Sequence, residues 1–381
     1  MVAAACSSGN EGLGTDAIEG SSTPSSLGER VIQGTTDWPT DWSQRSIDLE
    51  ELLVGLPGRV DSRDGIRPID DPAFETVDGA SEWLVDREPI ILLEIGDSAR
   101  AYPLQILISH EIVNDEFNGV PVAITYCPLC NSAVGFDRRV DGETLRFGVS
   151  GLLRNSDLVM WDDATTSLWQ QISGEAIVGV HTGTQLDLIP TPIVRFGDFA
   201  AQYPDGEVLS RETGFGFAYG RNPYAFYDTS SAPFLFNGEV DDRYPAMERV
   251  VGVIVGDANK AYPFSVIQEM RVVNDEIAGV PVVVMWGADD TASALSSPSI
   301  SEGDAIGTGI AFERTLNGQV LTFAQVEPDV FEDEQTGTTW DLLGKAIAGP
   351  LAGEELVPLV QTNEFWFAWA AFNDGSPVFT G

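Results

Sequence analysis

Short apolar runs rich in Val, Ile and Phe, each closed by Gly, Asn or Asp, dominate this chain, and that punctuation predicts strands and hairpins more than long helices. Pro89 to Gly96 (PIILLEIG) reads as a buried strand, and Asp97-Ser98 turns the chain into Arg100-Ala101-Tyr102-Pro103. Leu104 to Ser109 is expected to form a short helix, with Pro103 suited to its first turn. Glu111 to Asp115 alternates as a strand, Asn118-Gly119 is a strong hairpin turn, and Val120 to Tyr126 returns as its partner. Ser132 to Arg138 and Thr144 to Val149 read as a further hairpin about Asp141-Gly142. Leu158 to Gln171 reads as a helix and Glu175 to Val180 as a strand.

The same pattern then returns. Arg249 to Gly256 answers the strand before Gly96, Ala261-Tyr262-Pro263 answers Ala101-Tyr102-Pro103, and Val272 to Trp286 mirrors Ile112 to Tyr126 without a gap. Trp340 and Lys345 to Gly349 answer Trp169 and Glu175 to Gly179. The expected architecture is α+β, mostly β: two tandem degenerate pseudo-repeats of a β-rich unit with short helices. Residues 1–30 form a lipoprotein-like N-terminus and disordered linker, 31–88 a lead-in, 89–209 the first repeat, 210–248 an aromatic, Gly- and Pro-rich connector, and 249–381 the second, degenerate repeat. Tyr102, Asn114, Asp115, Gly119, Pro121 and Trp169 recur in both copies, and turns and packing account for them. His110, Cys127 and Cys130 do not recur: the second copy has Met270, Gly287 and Asp290. The fold can be built without those three residues, so they are the candidates for function.

Composition narrows the classes. A length of 381 residues and 43% apolar content suffice for a buried core, and 59 acidic against 20 basic residues give a net charge of -39. That charge repels nucleic acid and anionic lipid, so neither is expected as a partner. No apolar run approaches the ~18 residues of a membrane span. Val2-Ala3-Ala4-Ala5-Cys6, followed by a polar Ser- and Gly-rich stretch, looks like the end of a bacterial lipoprotein signal, with Cys6 as the lipid anchor. The expected location is therefore extracytoplasmic, held to the membrane by that anchor alone, with a protein partner or small-molecule ligand that the sequence does not identify.

The chain holds three cysteines and two histidines, and the segment from His110 to Cys130 takes two of the first and one of the second. Two thiols separated by two residues can point at one centre, and a histidine before the preceding hairpin could reach it. Two thiolates and an imidazole suit copper, or zinc with a fourth ligand, so His110, Cys127 and Cys130 are the expected metal ligands. Met160, Asp157 and Asp162 are additional candidates, and Asp163 is a further nearby acid. An alternative is a thiol-disulfide oxidoreductase in which Cys127 attacks and Cys130 resolves, although the strand–helix setting of such motifs is absent. A second alternative is a ligand-binding module with a purely structural disulfide, holding an organic ligand on the aromatic connector or in a pocket around Trp161 and Trp169, with Gln170 as a further wall. His181 is isolated, Gly148-Val149-Ser150-Gly151 lacks nucleophile-elbow spacing, and Gly214-Phe215-Gly216-Phe217 leads into no phosphate-binding helix, so no nucleotide cofactor is expected.

The run HEIVNDEFNGVPVAITYCPLCNSAVGFDRRVDG, then LRFGVSGLLRNSDLVMWDDATTSLWQQISGEAIVG, closely resembles the bacterial and archaeal domain of unknown function 3179 family. The likeness extends from about Glu88 onward and takes in YGRNPYAFYDTS. It implies an extracytoplasmic protein, often a lipoprotein, with HEIVND, YCPLC, SGLLRNSD and SLWQQ as signature blocks. His110, Cys127, Cys130, Ser150, Arg154, Asn155, Asp157, Met160, Asp162, Trp169 and Gln170 fall within them. The resemblance brings no established activity, and the metal site is read from the residues.

Overall fold

The computed structural model describes residues 38–56 and 61–381, so the expected lipid anchor Cys6 and the linker after it lie outside the described residues. The architecture is mostly β, with several sheets and a few short helices. Pro89–Ile95 pairs with Ser98–Pro103 across the expected turn, and the helix Leu104–His110 follows. Ile112–Phe117 and Val120–Cys127 then form the Asn118-Gly119 hairpin, to which Ser132–Asp137 adds a third strand. Asn118 and Gly119 both take positive φ, the geometry a tight two-residue hairpin demands.

Two local expectations change. The Asp141-Gly142 turn closes only a separate two-residue ladder, Arg139–Val140 with Glu143–Thr144, while Phe147–Arg154 joins a different sheet. Leu158 to Gln171 is not a helix. It is the strand Asp157–Asp162, a turn, and the strand Leu168–Gln170, because the Asp162 carboxylate accepts from the Thr165 amide at 2.6 Å and folds the chain back. Local side-chain capping of this kind competes with helix continuation.

From Arg249 on, the hairpin Arg249–Val255 with Ala258–Pro263, the helix Phe264–Met270 and the three-stranded succession Val272–Ile277, Val280–Gly287, Thr308–Glu313 follow in that order. Certain side chains do the same work in both halves. Asn114 brackets Phe147, accepting from its amide at 2.9 Å and donating to its carbonyl at 2.7 Å; Asn274 does so with Phe323, both at 2.9 Å. The Tyr102 hydroxyl donates to Asp115 at 2.6 Å, and that of Tyr262 to Asp275 at 2.9 Å.

The largest buried cluster lies around the first hairpin and includes Tyr126, Cys127, Cys130, Met160 and Trp169, but also Phe365, Phe367 and Ala368 from the chain's end. A second cluster joins Ile90, Leu92 and Val194 to Val283, Met285 and Trp340. The halves therefore share cores, each lending side chains to the other.

Candidate functional site

Cys127 is the last residue of its strand and pairs with Ser132 across the ladder, so Pro128 to Asn131 form a tight loop carrying both thiols on one side. Asn131 takes positive φ, a conformation its short polar side chain tolerates. Both cysteines are free and buried, at 2% and 0% exposure.

A second turn meets this loop. Asn155 and Ser156 both adopt positive φ and join Phe147–Arg154 to Asp157–Asp162, with Arg154 and Asp157 paired at its mouth. This two-residue turn brings the Ser156 carbonyl to 3.8 Å from the Cys127 Sγ and sets Asp157 beside both thiols. One Sγ from each cysteine and one Asp157 oxygen lie within 4.8 Å of one another, all from fully buried residues. Gln170 donates to Asp157 at 2.7 Å and the Ile172 amide does so at 3.0 Å, fixing the carboxylate. Gln171 donates to Thr125 at 2.8 Å and accepts from Ser132 at 2.7 Å, tying the same strand pair to the cysteine hairpin.

The surroundings raise the proton affinity of every acid here. Burial pushes Asp157 up to about 7 against hydrogen bonds that favour its charged form. Burial and the neighbouring Asp157 raise Glu111 to about 8, and the same two causes raise Glu364 to about 8. Burial also moves Cys127 upward and Cys130 well upward. Burial thus favours the protonated forms of the thiols and carboxyls, since isolated negative charge is costly in a dry interior.

Of the residues expected at one centre, Cys127, Cys130 and Asp157 come together. His110 lies outside that group. Its Nδ1 is 2.6 Å from the Arg67 carbonyl and its Nε2 is 2.7 Å from the Tyr219 hydroxyl. A carbonyl only accepts, so Nδ1 carries the proton and Nε2 accepts from Tyr219; both ring nitrogens are committed. Burial lowers its proton affinity, and Phe215, Phe217 and Tyr219 surround the ring. Met160 is a core residue opposite Trp169, and Asp162 accepts from Trp169 and Thr165. Trp169 packs edge-on against Phe147 inside the core, while half-buried Trp161 bonds Asp64.

Two residues that sequence reasoning did not single out belong to these surroundings. Glu111 follows the helix with a positive φ, as Arg271 does after the counterpart helix, and Tyr224 of the connector favours the charged form of its carboxyl. Its place inside HEIVND was the available signal. Glu364 comes from the last strand, Val360–Phe365, whose Phe365 amide donates to the Cys130 carbonyl at 2.9 Å. A single acid closing the polar stretch Gln361-Thr362-Asn363 just before the apolar WFAWAAF was its signal. Tyr224 also lines an open cleft of about 510 Å³ with Ile66, Ile108, Phe217 and Arg221.

In the second half a Cβ on Gly287 would come within 2.4 Å of Asp329, so a side chain at the Cys127 position there would have to displace that carboxylate. Asp290 and Asp329 instead bind the Arg195 guanidinium, at 2.6 and 3.3 Å.

No curated protein and no solved structure matches the chain. A family model described as "Protein of unknown function (DUF3179)" matches residues 63–376, which include both cysteines, Asp157, Glu111 and Glu364. The chain belongs to the DUF3179 family.

Proposed function

We propose that this is an extracytoplasmic metal-binding protein whose ion is held by Cys127, Cys130 and Asp157. The observation that carries the reading is the convergence of two thiols and one carboxylate within 4.8 Å in a fully buried place. A divalent cation would replace the thiol protons and make the thiolates, which burial alone disfavours, its natural ligands.

The donor set refines the choice of metal. Sequence reasoning favoured copper on two thiolates and an imidazole. With a carboxylate as the third donor, the set is borderline instead of uniformly soft, and zinc suits it better than Cu(I). A thiol-disulfide oxidoreductase fits less well, because its attacking cysteine works as a thiolate and burial pushes both thiols the other way. The enclosure also argues for keeping or handing over an ion, since a catalytic zinc keeps a position open to water and substrate.

The test is anaerobic titration of the reduced protein with Zn²⁺ and, separately, Cu⁺. One equivalent of zinc, lost in Cys127→Ser and Cys130→Ser, supports the reading; copper alone at the same residues changes the metal. Binding that survives either serine variant contradicts it. The anchor at Cys6 is part of the same proposal, and loss of membrane association in Cys6→Ser checks it.

A further inference from the structure

The closing strands of the two halves bury different side chains at one matching position. In the first half Ile193–Arg195 pairs with Pro89–Ile95 and leads into the helix Phe196–Gln202. In the second, Val360–Phe365 pairs with Arg249–Val255 and leads into the helix Trp366–Phe372. The ladders align Val194, opposite Ile90, with Glu364, opposite Val250; Ile90 and Val250 in turn face Pro103 and Pro263. Val194 is 0% exposed and packs with Val283, Met285 and Trp340, close to the half that lacks cysteines. Glu364 is 1% exposed and faces the half that has them, contributing to the electrostatic environment of Cys130 and Asp157. The fold accepts valine at this position, so a buried carboxyl is not a requirement of packing.

Glu364 is also incompletely satisfied. Its Oε1 accepts from the Thr362 hydroxyl, while Oε2 is buried without a hydrogen-bond partner. A buried polar atom left unpartnered costs stability, and one beside a candidate ion site has an evident use. The strand that carries it is fastened to the cysteine loop by the bond from Phe365 to Cys130.

We propose, resting on the metal reading above, that Glu364 is the fourth ligand of the ion, so that the second half completes a centre whose other three ligands come from the first. Glu364 stands outside the group of atoms within 4.8 Å of one another, so its Oε2 joins by a rotation of its own side chain toward the thiols. The resulting two-sulfur, two-oxygen set would close a tetrahedral site among buried residues. The ion then ties the halves together on this side, as the guanidinium of Arg195, a first-half residue, does on Asp290 and Asp329 of the second.

The experiment is anaerobic Co²⁺ titration of the wild type, Glu364→Gln and Glu364→Val, followed by visible absorption and by competition with a chelator. The wild type is expected to show sulfur-to-cobalt charge transfer with the intense bands of a tetrahedral ion. Glu364→Gln should keep the charge transfer, lose the tetrahedral band intensity and bind at least ~10-fold more weakly. Glu364→Val, the residue the fold carries at 194, gives the same readout if the glutamine variant does not fold. Unchanged bands and affinity in a folded variant overturn the role of Glu364 alone. Absence of cobalt or zinc binding in the wild type overturns it together with the metal reading.

Discussion

Asp157 lies beside Cys127 because two turns of different origin meet, one after the cysteine strand and one through the left-handed pair Asn155-Ser156. The contact joins two sheets, so its chemistry depends on their packing as much as on the CPLC loop. Asp157→Asn keeps the shape and removes the negative charge. It should weaken zinc binding by at least ~10-fold while both thiols remain titratable. Equilibrium competition with a chromophoric chelator measures this, and an unchanged constant would place the oxygen donor elsewhere.

His110 holds the connector through Tyr219 and the lead-in through the Arg67 carbonyl. His110→Ala is therefore expected to leave zinc affinity unchanged and to cost about 1–3 kcal/mol through the unpaired groups it leaves behind. Amide exchange should quicken between residues 211 and 221. Loss of the ion in this variant would instead return the histidine to the ligand set.

Asn114 and Asn274 perform the same bracketing in the two halves, with neither at the thiols. Each Asn→Ala change removes both arms of a bracket and should cost about 2–3 kcal/mol. Denaturant unfolding reads this, and the number of bound zinc ions per folded molecule should not change.

The buried acids give the metal-free protein a distinctive pH dependence. Asp157, Glu111 and Glu364 hold protons up to about 7, 8 and 8 in the fold, but ionise near their ordinary values of about 4 when unfolded. The folded state binds more protons across that window, so the contribution of these groups is full below about pH 4 and is lost as pH rises to about 8. Denaturation of reduced, metal-free protein should show stability falling between about pH 5 and about pH 8, less steeply in Glu111→Gln. A stability that climbs over the same range contradicts the assignment. Zinc should reverse the trend, because its ligands must lose their protons.

Much of this was legible in the sequence. Asn118-Gly119 announced its hairpin, the short apolar runs announced a mostly β fold, and the loss of both cysteines at Gly287 and Asp290 pointed to the thiols. What the sequence did not show is tertiary. The turn at Asp162 depends on a side chain accepting from a backbone amide, which no periodicity reveals. Histidine and thiols near one another in the chain suggested one centre, but the connector takes up His110; of the acids the sequence offered, Asp157 reaches the thiols from another sheet, whereas Asp162 is taken up by Trp169 and Thr165.

The most direct measurement is elemental analysis with a thiol count on protein isolated anaerobically from its host. Close to one zinc per chain is expected, with Cys127 and Cys130 unreactive until a chelator removes it. A metal-free protein with those two cysteines joined in a disulfide would contradict it.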